Sequence, residues 1–260
     1  MVNAVSTGPR RARQEGPVPW ASLAVVVAAL TGAAVLAARV RAHPGPLSID
    51  RRVMRTIVDH RPSGLASAAK VFVHIGDPGV LPLLAVVAAV LLWTRFRAVF
   101  PSVLPLGALL VADAIGLVGK KVIDRPRPPV AYHLVAESDA SFPSGHATGS
   151  AAFFLALALV LSPTLRRRAS QVALVVGALL LAGLIGFARL LLGVHWVSDV
   201  TAGWLIGVAC AVAAPLAAEA LLRLPVMAWA GPDRSGRSEL DRPTEPRAPA
   251  SAAGPRSADR

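Results

Sequence analysis

Ser141-Phe-Pro-Ser-Gly-His-Ala-Thr-Gly-Ser150 leads straight into Ala151–Leu161, a run with no charge in it. Together they approach the roughly 20 residues, at about 1.5 Å each, that a helix needs to cross a hydrocarbon core. Other runs along the chain are similar. Of the 260 residues, 54% are hydrophobic, and mean hydropathy is +0.57. The apolar residues run continuously instead of alternating, which is the pattern of helices and not of barrel strands. The sequence therefore predicts an all-α protein that crosses a membrane several times.

Six spans are expected: Pro19–Val40, Val80–Trp93, Ala98–Val118, Pro143–Leu161, Gln171–Leu192 and Val200–Leu222. The second is short and starts nearer Val71 if Asp77 is tolerated. A cleaved signal peptide is the rival reading of the first. That run is long for one, and no small-residue cleavage site follows. Ile49, Val53 and Ile57 recur at helical spacing, predicting a short amphipathic helix. It lies at the interface or packs as a cap on the bundle. The expected organisation is a cytoplasmic segment at 1–17, a six-helix membrane domain at 18–225, and a disordered cytoplasmic tail at 226–260 rich in Pro, Arg, Ser and Ala.

An even span count puts both termini on one side. Arg10, Arg11 and Arg13, the Arg95/Arg97 loop and the Arg166–Arg168 loop share that side, which the positive-inside rule makes cytoplasmic. The first outer loop, with Arg51, Arg52, Arg55, Arg61 and Lys70, runs against the rule. The formal charge of +12 is explained by arginines at the ends of apolar runs, and nucleic acid is not an expected partner. The single cysteine, Cys210, sits in an apolar run and is read as packing.

Three polar clusters then fall at helix ends on the outer side. They are Lys120-Lys-Val-Ile-Asp-Arg125-Pro-Arg127-Pro128, Pro143-Ser144-Gly145-His146, and Arg189 followed by His195 and Asp199. Arg189 is flanked by apolar residues. Such an arginine either meets an anion or snorkels to the interface. His195 and Asp199 are four apart and share a face if helical. A carboxylate there can fix the imidazole tautomer and raise the basicity of the other nitrogen, although the same pair also occurs as a structural histidine. Pro143 suits a first helical turn, and small Ser144 and Gly145 leave backbone N–H groups open to an anion. A plain Ser/Gly cap is the alternative. Jointly the clusters describe a phosphate site with a nucleophile and a proton donor. No Cys/His set has zinc spacing and no acidic cluster suits magnesium, so no metal or cofactor is expected. Cations can take the electrostatic role.

These residues resemble the type 2 phosphatidic acid phosphatase (PAP2) superfamily. Its three-part signature is Lys-x6-Arg-Pro, Pro-Ser-Gly-His and Ser-Arg-x5-His-x3-Asp. Here it reads Lys120 to Arg127-Pro128, Pro143–His146, and Arg189, His195, Asp199, in that order. Ala188 stands where the family has serine. The resemblance covers about residues 45–222. It implies a six-helix membrane bundle with its active site at the outer interface of the plasma membrane. It also implies a metal-independent phosphatase. His195 would attack phosphorus to give a phosphohistidine, Asp199 would orient it, and His146 would protonate the leaving oxygen. Lys120, Arg127, Ser144, Gly145 and Arg189 would hold the phosphate oxygens.

A site between helix ends suits a phosphate on a long apolar tail. The expected substrate is a lipid phosphate or pyrophosphate, with undecaprenyl pyrophosphate first by analogy. Phosphatidic acid and phosphatidylglycerol phosphate are the alternatives. The related vanadium haloperoxidases are soluble, which six spans argue against. A non-enzymatic phospholipid-binding protein would not need His146, His195 and Asp199 intact. A soluble sugar phosphate is a further alternative. Tyr132 and Trp196 are read as interface anchors or pocket walls.

Overall fold

The computed structural model describes residues 20–43 and 45–223. The segments expected at 1–17 and 226–260 lie outside the described residues. Among the described residues there are eight α-helices, in order: α1 Trp20–Ala42, α2 Ser48–His60, α3 Ser63–Phe72, α4 Val80–Phe96, α5 Val99–Ile123, α6 Gly145–Leu161, α7 Arg168–Leu191 and α8 Val197–Arg223. The described residues up to Ala220 belong to one compact unit.

Among the described residues, five helices are long and apolar enough to cross a membrane: α1, α5, α6, α7 and α8. The expected second span, Val80–Trp93, lies within α4, but the earlier start near Val71 does not continue it as one straight helix. Ser63–Gly76 and Val80–Phe96 form a pair bent by 51°. The break falls at Asp77-Pro78-Gly79, where the Asp77 carboxylate accepts the Gly79 N–H at 2.7 Å. Proline and glycine interrupt the helix there, and the aspartate satisfies a freed donor.

α5 runs five residues beyond its expected end at Val118, so Lys120 lies in its last turn. It stops at Asp124, which is in the left-handed region at φ 44° and donates its N–H to Lys120 O at 3.0 Å. α2 carries the expected amphipathic pattern but buries a different face. Asp50 and Met54 are buried, while Ile49 is half exposed. The cap reading therefore holds: Ile57 packs against Leu190 and Val200, and a carboxylate, not the isoleucine stripe, sets the helix's rotation.

α6 is the central element. Most of its residues are buried, and it packs on both α5 and α7. Its first turns are small, Ala147, Gly149, Ser150, Ala151 and Ala152. α8 faces them with Gly203 and Gly207, a small-xxx-small spacing that lets two helices approach closely where lipid gives no hydrophobic drive. A Cβ on Gly207 would stand 2.5 Å from Thr148 O and 2.6 Å from Ala151 Cβ. One on Gly203 would stand 2.8 Å from Ser144 O. Leu83, Val90 and Leu91 of α4 and Leu180 of α7 point outward, as lipid-facing side chains do.

The obstructing atoms at Gly207 are backbone atoms and the Ala151 Cβ, none of which can rotate aside. Gly207→Ala should therefore lower stability in detergent by about 1–3 kcal/mol. Gly183→Ala, with nothing within 4 Å of its new methyl, should be neutral or stabilising. Parallel thermal unfolding curves test this, and equal behaviour of the two variants would contradict the packing described.

Candidate active site

The three polar clusters meet at one end of the bundle, where α5 and α7 finish and α6 and α8 begin. α7 ends with Arg189 in its last turn. The chain then reverses at Gly193, which has φ +72°. A Cβ there would lie 2.1 Å from Tyr132 O, so only glycine fits both the turn and the neighbouring loop. Arg61 of the α2–α3 link holds this turn, donating to Tyr132 O at 2.9 Å and Leu191 O at 3.1 Å. His195 follows, before α8 starts at Val197.

The expectation that His195 and Asp199 share a helical face is corrected on this point. His195 stands outside the helix, and the turn brings the two together. Its Nδ1 lies 3.6 Å from Asp199 Oδ2, longer than a hydrogen bond. Ser141 fills the gap: its Oγ is 3.4 Å from Nδ1 and donates to Asp199 Oδ2. The same carboxylate oxygen accepts the Trp196 N–H at 2.8 Å. On the ring's other side, Arg127 Nη1 is 3.1 Å from Nε2. A guanidinium only donates, so Nε2 carries the lone pair and Nδ1 carries the proton. Burial, the largest influence, holds His195 well below the ordinary histidine range; Arg189, Arg127 and Lys120 add to this and Asp139 opposes it. The result is a neutral imidazole whose Nε2 lone pair faces the cations and accepts from Arg127.

Those cations come from three places. Arg127, in the α5–α6 loop, is anchored to Asp139 O at 2.8 Å and Val194 O at 2.7 Å. Lys120 reaches Ala140 O at 2.6 Å and Asp139 Oδ2 at 2.8 Å. Arg189 is buried and pairs with Glu137 Oε1, while Glu137 Oε2 takes Arg127 at 3.2 Å. Asp139 also pairs with Arg127. Burial pushes the Asp139 carboxyl up, but hydrogen bonds and charge from Lys120 and Arg127 prevail and bring it down to about 2.

α6 contributes its N-terminus. Its first residue is Gly145 and its N-cap is Ser144. Pro143 precedes the cap, after a cis peptide, so it is not in the first turn as expected. Ser144 does not cap with its side chain. Its Oγ is buried with no partner, as are Arg189 Nε and, behind Asp199, Arg125 Nε. Left without acceptors, Ser144 Oγ and Arg189 Nε disfavour the site as it stands by about 1–3 kcal/mol each, which an anion accepting from both would relieve. His146, in the first turn, is buried and within electrostatic reach of His195, Arg189, Arg127 and Lys120. Every residue singled out from the three motifs thus reaches this one end.

Other residues here were not singled out by motif. Glu137 and Asp139 pair the cations, Ser141 joins His195 to Asp199, and Arg125, Asp50 and Ser198 form a buried network behind Asp199. For Arg125, Glu137 and Asp139 the one signal in the sequence was charge in the loop between two apolar runs; Ser141, Ser198 and the helical Asp50 gave none. Ala188 does not face the site. It packs with Ala69, Val73 and Leu191, so the missing serine removes no site contact in this fold. Trp196 is buried and donates to Pro126 O at 3.0 Å, making it a wall and not an interface anchor. An apolar hollow of about 500 Å³, lined by Ala21, Val25, Pro101, Leu104, Leu159 and Pro215, lies at the opposite end of the bundle and holds no charge.

A neutral imidazole with an unprotonated Nε2, ringed by cations and two helix N-termini, can attack a phosphoryl group and stabilise its charge. Comparison with known proteins agrees. Residues 101–222 match the PAP2 superfamily. The chain is 31% identical over 164 residues to phosphatidylglycerophosphatase B of Bacillus subtilis, covering 62% of this chain and 78% of that protein. It is 33% identical over 172 residues to decaprenylphosphoryl-5-phosphoribose phosphatase of Mycobacterium tuberculosis, covering 64% and 87%. The crystal structure of a transmembrane PAP2-type phosphatidylglycerolphosphate phosphatase from Bacillus subtilis superposes with a TM-score of 0.65 at 26% identity, covering 78% of this chain and 98% of that one. The motifs, the helical bundle and these relatives together place the chain in the PAP2 superfamily, among its membrane-embedded phosphatases.

Proposed function

We propose that this protein hydrolyses a lipid phosphate or pyrophosphate through a phosphohistidine. His195 Nε2 attacks phosphorus, and the bond from phosphorus to the leaving oxygen breaks. His146 gives that oxygen its proton. Asp199, with Ser141, holds the Nδ1 proton and balances the charge the ring gains. Water, deprotonated by His146, then attacks the phosphohistidine, and the N–P bond breaks to release phosphate. Lys120, Arg127, Arg189, the Ser144 hydroxyl and the backbone N–H of Gly145 bind the phosphoryl oxygens. Glu137 and Asp139 yield the cations to the incoming phosphate. The observation that carries this reading is that Ser144 Oγ and Arg189 Nε, two of the three buried side-chain donors without acceptors among the described residues, lie at the same end as a histidine whose Nε2 faces the Arg127 guanidinium.

The substrate is a phosphorylated lipid, with undecaprenyl pyrophosphate the first candidate. A polyprenyl-linked substrate is in the name of the mycobacterial relative. The Bacillus relative's name favours a second reading, phosphatidylglycerol phosphate or phosphatidic acid. The membrane domain is assigned to 18–225 with a C-terminal tail at 226–260. It is placed in the plasma membrane with termini cytoplasmic and site outward, because the short basic loops Arg95/Arg97 and Arg166–Arg168 share one side.

Phosphate release from a panel of these three lipids and a water-soluble sugar phosphate tests the reading, in detergent with EDTA present. Release from a lipid should survive EDTA and fall at least about a thousandfold in His195→Ala, the scale on which losing a nucleophile acts. Release from the sugar phosphate alone would overturn the lipid assignment. Vanadate should inhibit, and Glu137→Gln should bind vanadate several-fold more tightly, since a competing carboxylate is gone. Weaker binding would mean that Glu137 positions the arginines instead. In the ligand-free protein, ¹⁵N-histidine NMR at about pH 6, just under the ordinary histidine pKa, should show His195 neutral with the proton on Nδ1. A doubly protonated ring would contradict the assignment.

A further inference from the structure

Behind Asp199 lies a buried charge array that the three motifs do not contain. Arg125 donates through Nη1 to Asp199 Oδ1 and, at 2.7 Å, to Ser198 Oγ. Its Nη2 donates to Asp50 Oδ2 at 2.7 Å. Asp50 also accepts the Ser198 N–H at 3.0 Å, the Ser198 hydroxyl at 2.9 Å and the Leu47 N–H at 3.0 Å. Asp50 and Asp199 are fully buried and Arg125 nearly so. The guanidinium lies 5.9 Å from the Trp196 ring. A single arginine is thus held between two carboxylates, one on α8 and one on α2, a helix outside the 101–222 region that matches the family.

We propose that Asp50 and Arg125 are positioning residues for the reaction, acting through Asp199 on His195. The proposal rests on the reading that His195 is the nucleophile. The physical reason is charge balance. As His195 attacks, its ring becomes cationic, and Asp199 must supply the opposing charge. Arg125 alone would neutralise Asp199 and weaken that support. Asp50 takes half of the guanidinium, so the three groups keep one net negative charge to offer the ring. Asp50 also fixes Ser198 and Arg125, and through them the direction of the Asp199 carboxylate. The groups facing this array are His195 and Ser141 on the substrate side, with Lys120, Arg127, Arg189 and Asp139 beyond. Trp196 and the backbones of Leu47, Ser141 and Ser144 also adjoin it. Asp50 itself touches none of the cations assigned to phosphate.

The test is steady-state kinetics on the best lipid substrate, with His195→Ala as reference and thermal unfolding as a check on folding. Asp50→Asn keeps the shape and the acceptor oxygen but removes the charge. Its kcat should fall about 10–100-fold, the span of coupling within one buried network, while KM changes little. Arg125→Met leaves two buried carboxylates facing each other and should fall further. The double variant Asp50→Asn/Arg125→Met should regain activity over Arg125→Met alone, because the unpaired charge is removed with its partner. Asp50→Asn with unchanged kcat, or with a loss confined to KM or to the folded fraction, overturns the proposal. A double variant that is the product of the two single losses overturns it as well. Should His195→Ala turn over like wild type, the nucleophile assignment itself fails. A dead His195→Ala beside an unimpaired Asp50→Asn rejects this inference only.

Discussion

Cations buried inside a helical bundle must each find an anion, and the polar end of this protein is built around that constraint. Taking a charge out of water is strongly unfavourable unless it is paired and hydrogen-bonded. Lys120, Arg125, Arg127 and Arg189 all lie at one end, and carboxylates meet all four: Asp139, Glu137, Asp50 and Asp199. The pairing separates into two layers. Glu137 and Asp139, on a loop and partly exposed, hold the cations that face His195. Asp50 and Asp199, fully buried, hold Arg125 behind it. The first layer is open to solvent through its carboxylates, whereas the second is closed off from it.

The helices make this affordable by what their ends supply. α6 and α8 present N-termini at the same place, and α5 and α7 finish there with Lys120 and Arg189 in their last turns. Each arrangement follows the helix dipole or its free backbone groups. For those ends to converge, α6 and α8 must approach closely, and Gly203 and Gly207 against Ala147, Thr148 and Ala151 provide the clearance.

Much of this was legible in the chain. Continuous apolar runs gave the helices, because a bilayer leaves few alternatives for the backbone. Residue spacing gave the three motifs, whose members all reach the site. Local geometry was less legible. The break at Asp77–Gly79 interrupts what composition reads as one span. Pro143 sits before the cap and not within the helix. The face of α2 that turns inward carries Asp50, although its isoleucines made the more visible pattern.

By itself the sequence determined that the chain is helical, that it crosses a membrane, and which residue types are set aside for phosphate chemistry. Those properties depend on local periodicity and on short spacings, which a linear chain contains in full. Only the tertiary structure decided which carboxylate meets which cation, that Ser141 stands between His195 and Asp199, and that Asp50 reaches Arg125 and Ser198 from far away in sequence. Charge pairing depends on distances of a few ångströms between elements, and no spacing along the chain encodes those distances.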